Sequence, residues 1–89
     1  MAQRSDDADD WHDTERVDEA VLALLYLTSF QESGVVRAWK GHDWDALDRL
    51  HAKHFISDPA SKAKSVVLSE EGYAQARRLF DQLFGKVGA

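Results

Sequence analysis

Cysteine is absent from the 89 residues, which excludes disulfides, thiolate catalysis and cysteine-ligated zinc together. Such a chain suits a reducing compartment, and a cytoplasmic protein is expected. The longest apolar run, Ala20 to Leu27, falls far short of the roughly 20 residues that span a bilayer, so no membrane partner is expected. The first residues, MAQRSDDADD, contain no apolar stretch that would read as a secretion signal. Also missing are a phosphate-cradling glycine loop, a dinucleotide glycine motif and a nucleophile elbow. A single small core leaves little room for a deep substrate pocket. The expectation is a non-catalytic protein without a cofactor.

Proline occurs once, at Pro59, and glycine five times, so each is a strong punctuation mark. Charge is unevenly placed. The net charge of −5 lies wholly in residues 1–15, where Arg4 stands against Asp6, Asp7, Asp9, Asp10, Asp13 and Glu15. The rest of the chain is neutral, with ten bases and ten acids. Residues 1–12 lack apolar periodicity and are expected to be an acidic, mobile tail, leaving residues 13–89 as one domain. Such a tail either aids solubility or covers a basic surface as an autoinhibitory arm. Trp11 is the odd residue in it, placed where the ordered part would begin.

What is present reads as alternating helices and strands. Asp13 or Thr14 caps a first helix expected to reach Phe30. From Ala20 onward this helix is apolar nearly all round, so both of its faces require burial. Leu22, Tyr26 and Phe30 lie opposite the face of Val17, Val21 and Leu24, and are the candidate interface of a homodimer. Gly34 and Gly41 bracket Val35–Trp39, whose β-branched and aromatic content predicts a strand. Asp43 caps a helix from Trp44 to about His54, with Trp44, Leu47, Leu50, His51 and His54 on its inward arc. Asp58–Pro59 is a turn signal between an apolar Phe55–Ser57 and a β-branched Ser65–Leu68, which predicts a hairpin with its tip near residues 58–62. Ser69 caps the last helix, whose inward stripe is Tyr73, Ala76, Phe80, Leu83 and Phe84, with Gly85 as its stop.

The segment LDRLHAKHFISDPASKAKSVVLSEEG, residues 47–72, resembles the recognition helix and wing of winged-helix regulators of the multiple-antibiotic-resistance repressor type. Leu47, Leu50, Lys53, Phe55, Ile56, Val67, Leu68, Glu70, Glu71 and Gly72 carry the match. The wider pattern WKGHDWDALDRLHAKHFISDP followed by KAKSVVL also resembles a family of small bacterial proteins of unknown function. The resemblance implies an α+β, winged-helix-like domain ordered helix, strand, helix, β-hairpin, helix. The chain departs from the regulator pattern at two places. Residues 31–42 are too broken for a scaffold helix, and His54 stands where a left-handed glycine is usual.

If the resemblance extends to function, the chain is a dimeric transcription regulator that binds duplex DNA with the 44–54 helix and the 58–64 wing. Arg49 would then reach a base edge and Lys53 a phosphate, with Lys62, Lys64, Arg37 and Lys40 neutralising further phosphates. Against this, Asp45 and Asp48 share the exposed face of that helix, and Asp45 is spaced to pair with Arg49. The mixed face and the neutral body favour an interaction module that works through protein–protein contacts in bacterial regulation, with a partner the sequence does not name. Trp39 and Trp44 bracket the turn before the central helix. They are expected in the core, and would mark a partner-binding hot spot if exposed. His51 and His54 share a helix face, near His42 and Asp43, but a metal site needs three or four converging ligands, and none is expected.

Overall fold

In a computed structural model, which describes residues 12–86, the Asp13 carboxylate accepts the backbone N–H groups of Glu15 and Arg16 at 3.0 and 3.3 Å. This satisfies two donors that the start of a helix leaves unpaired, and α1 follows from Thr14 to Leu27. The expected tail and Trp11 lie outside the described residues. The helix ends three residues before the expected Phe30. Thr28 and Ser29 bring this about, because their hydroxyls donate back to the carbonyls of Leu24 and Tyr26 at 3.3 and 2.7 Å. Serine and threonine that bond their own backbone compete with helix continuation.

Phe30 instead opens a strand, β1, Phe30–Glu32. A tight turn at Ser33–Gly34 leads to β2, Val35–Trp39. Ser33 and Gly34 have φ of 54° and 82°, the pair of positive angles that a twisted two-residue hairpin needs. The strand expected at Val35–Trp39 is therefore the second arm of a hairpin, and its first arm was hidden at the end of an apparent helix.

Asp43 caps α2, Trp44–Ala52, by accepting Ala46 N–H at 3.1 Å. Lys53 is its C-cap, and His54 has φ 66°. The left-handed turn expected there is made by histidine in place of glycine, at about 1 kcal/mol relative to glycine. The inward arc is rotated from expectation. Ala46, Leu47 and Leu50 are buried, whereas Trp44, His51 and His54 are exposed. The expected strand at Phe55–Ser57 reduces to a single bridge, Ile56 with Leu68. Ser57 reinforces it by donating its N–H to Val67 O at 2.8 Å and accepting Val67 N–H on Oγ at 2.9 Å. After the 58–64 loop come β3, Ser65–Leu68, and α3, Glu70–Phe84.

The strands form one antiparallel sheet in the order β1-β2-β3, with Arg37 opposite both Phe30 and Val67. Alternation sends Ala38, Val66 and Leu68 into the core with Leu22, Leu25, Leu47 and Leu50. Phe30, Val35, Arg37, Trp39 and Val67 take the opposite face. Among the described residues, three helices and a three-stranded sheet make a small α+β fold compatible with a winged-helix-like arrangement.

Candidate interaction surface

The cations expected to contact DNA divide into two groups. Arg49 turns toward α1 and not toward solvent. Its Nε and Nη2 donate to Oδ2 and Oδ1 of Asp18, both at 2.7 Å. The Asp18 side chain is 2% exposed and that of Arg49 31%, so the guanidinium is tied up neutralising a buried carboxylate, and the expected Asp45 partner is displaced. Lys40 is held by the loop. Its Nζ donates to the carbonyls of Pro59 and Ser61 at 2.6 and 2.8 Å and lies 5.7 Å from the centre of the Trp44 ring. It clips the 58–64 loop, where Pro59 is buried, to the start of α2. Arg37 donates from Nη1 to Ser65 Oγ at 3.0 Å, and its Nε is 3.3 Å from Glu32 Oε1. Arg37, Lys40 and Arg49 therefore hold the fold together. Lys53, Lys62 and Lys64 are exposed. Lys53 lines a cleft with Asp18, Glu19, Gln75 and Arg78.

The expected homodimer residues do not share a face. Leu22 is 1% exposed and belongs to the core. Tyr26 packs its ring against Tyr73 and Phe80, with centroids 5.6 and 5.4 Å away. Phe30 has left the helix for β1, where its ring lies 5.0 Å from that of Trp39. The grouping failed because it extended helical periodicity past Thr28. Leu83 and Phe84, expected in the core, are also exposed at the end of α3.

Trp39 and Trp44, expected inside, are 55% and 51% exposed. Ala38 takes the inward position of β2 and is fully buried, and alternation then directs Trp39 outward. The outer face of the sheet consequently carries the Phe30–Trp39 ring pair, Val35 and Val67, with the Arg37–Glu32 ion pair among them. The helices pack on the other face. An exposed tryptophan on a sheet face that no helix covers among the described residues is the chemistry of a contact hot spot. Sequence reasoning could have found it from Trp39 and Ala38 being neighbours on one strand, since only one of them can face the core.

His51 places Nδ1 3.1 Å from Ile56 O, and it lines a shallow open depression with His54, Ser57 and Ser69. Among the described residues no group of three or more His, Asp or Glu side chains is placed to hold a metal, and no helix is long and apolar enough to cross a membrane.

The family model described as a domain of unknown function, DUF6429, matches residues 13–86. The uncharacterized protein y4hR of Sinorhizobium fredii (strain NBRC 101917 / NGR234) is 49% identical over 72 residues, covering 81% of this chain and 93% of that protein. No solved structure matches the chain.

Proposed function

We propose, for a chain that belongs to the DUF6429 family, a non-catalytic role as a protein-interaction module in bacterial regulation, with the outer sheet face as the contact surface. The carrying observation is Trp39, 55% exposed and paired with Phe30 on the side of the sheet away from the helices. A large aromatic left half in water loses apolar burial that a partner would restore, and interfaces concentrate their binding energy in such residues. The internal engagement of Arg37, Lys40 and Arg49 supports protein over DNA, because those cations hold the sheet, the loop and α1 in place.

The test is site-specific photo-crosslinking in the producing cell. A photoreactive residue at position 39 should give discrete covalent adducts, and one at Ala74, exposed on α3, should give none. Equal labelling at both positions, or none at position 39, overturns the reading.

Exposed Lys53, Lys62 and Lys64 favour a second reading, in which duplex DNA is bound. Three phosphate contacts would give a log–log salt slope of about −2.7, so affinity would fall roughly 40-fold between 50 and 200 mM salt. Fluorescence anisotropy with a random duplex at low salt is expected to show no saturable binding. Saturable binding removed by Lys62→Glu with Lys64→Glu would establish the DNA reading.

A further inference from the structure

We propose that the occupant of the outer sheet face is a second copy of this chain, packed sheet to sheet about a two-fold axis. The proposal rests on the interaction-module reading above and names its partner. Its basis is the arrangement at the hairpin β1–β2. Glu32 lies opposite Val35 and Phe30 opposite Arg37, so four neighbouring side chains on one face are two apolar groups on one diagonal and one charge of each sign on the other. A closed dimer uses the same patch twice, so the patch must complement itself. This one does. A two-fold axis between Glu32 and Arg37 sets each Arg37 against the partner copy's Glu32 and brings the Phe30 and Val35 side chains together. Trp39, beyond Arg37 on the same strand, then reaches over the partner copy's Ser33–Gly34 turn, which carries no bulky side chain to obstruct it.

The charges suit this exchange. The Glu32 side chain is 63% exposed, and its 3.3 Å contact with Arg37 Nε is within one chain. Arg37, 28% exposed, keeps its bond to Ser65 Oγ, and Glu32 is the end that exchanges. An ion pair with one end in water contributes little to stability, so re-pairing across an interface loses little. Net neutrality of the patch also argues against a strongly charged partner. Size sets the strength of the association. Three strands about 4.8 Å apart and three to five residues long present roughly 15 by 15 Å, well below the ~800 Å² per partner of a standard specific complex. The dimer therefore dissociates on dilution.

Sedimentation equilibrium of the full chain across roughly 10 μM to 1 mM, the range that brackets a weak association, tests this. The weight-average mass should rise from that of one chain toward that of two, and Trp39→Glu should hold it at one chain throughout. Glu32→Arg makes the patch doubly positive and Arg37→Glu makes it doubly negative, so each variant alone should stay monomeric. An equimolar mixture of the two should form dimers, because opposite patches then meet. Recovery in the mixture also shows that both variants are folded, and it decides the matter if Trp39→Glu unfolds. A wild-type chain that stays monomeric to 1 mM overturns the proposal, as does a dimer indifferent to Trp39→Glu or a mixture no different from its components. A monomeric chain whose position-39 adducts contain another protein removes the second copy and leaves the contact surface standing. A monomer with no adducts removes both.

Discussion

Arg49→Met is expected to lower folding stability by about 3–5 kcal/mol, the range for leaving a buried charge without its partner. The two ends of the Arg49–Asp18 pair are unequally buried, and that inequality sets the order of effects. Asp18 is 2% exposed and receives both guanidinium donors at 2.7 Å. Without Arg49 its carboxylate remains beside Leu22 and Leu50 in the cleft lined by α1, α2 and α3. Asp18→Ala removes the carboxylate from Arg49, but Arg49 is 31% exposed and its long side chain can carry the charge into water. That variant should lose only about 1–3 kcal/mol, the desolvation penalty of a partly accessible group. The double variant Asp18→Leu/Arg49→Met removes both charges and should lie within about 1 kcal/mol of the wild type, or above it. Urea unfolding of the four proteins checks the order through their midpoints. Equal losses in the two single variants, or a double variant as weak as their sum, would mean that the pair is not the unit described. The same asymmetry explains why Arg49 is a poor base reader. Turning it out toward a ligand would leave Asp18 unpaired inside.

Local interactions were legible in the sequence and distant ones were not. Asp13, Asp43 and Ser69 are caps because an oxygen on a short side chain reaches N–H groups two or three residues ahead, a relation fixed by spacing alone. The strands at Val35–Trp39 and Ser65–Leu68 followed from β-branching, and the left-handed residue at His54 from the resemblance, whose pattern carries glycine there. Arg49 misled because Asp45 offered a partner one turn away, while its actual partner lies 31 residues earlier. Lys40 misled for a related reason. Its acceptors are backbone carbonyls at Pro59 and Ser61, and carbonyls carry no residue signature. The hairpin turn at Ser33–Gly34 was missed because Ser33 takes a positive φ without being one of the residues that usually announce it. That error also concealed the site, since it kept Phe30 in a helix and away from Trp39. The apolar bias of tryptophan then assigned Trp39 to the core, where Ala38 takes the inward position of β2.

Gly72→Ala should destabilise the protein by about 3 kcal/mol or more, although glycine-to-alanine changes within helices ordinarily stabilise. The third residue of α3 is a position where alanine would normally add about 1 kcal/mol through reduced backbone entropy and better helix propensity. Here the added Cβ would overlap the carbonyl oxygen of Phe55 and stand 2.8 Å from its carbon. Both are backbone atoms, so no side-chain rotation relieves the contact. Nor can the backbone readily withdraw. The same Phe55 carbonyl accepts Ser69 N–H at 3.0 Å, and Ser69 Oγ donates to His54 O at 2.8 Å while accepting Gly72 N–H at 2.9 Å. Separating the two segments by the ångström or more that alanine needs breaks this latch, and with it the N-cap of α3. Loss of a cap is worth about 1 kcal/mol, and forced displacement of packed segments a further 1–3 kcal/mol. For a domain of this size each kcal/mol shifts the thermal midpoint by about 4–8 °C, so a midpoint roughly 12–24 °C lower is the expected reading. Gly41→Ala is the matched control, because a Cβ there meets nothing within 4 Å and the midpoint should hold or rise slightly. A raised midpoint for Gly72→Ala would mean that α3 does not lie against the backbone of Phe55, and that the glycine in the Ser-Glu-Glu-Gly helix start has no packing role.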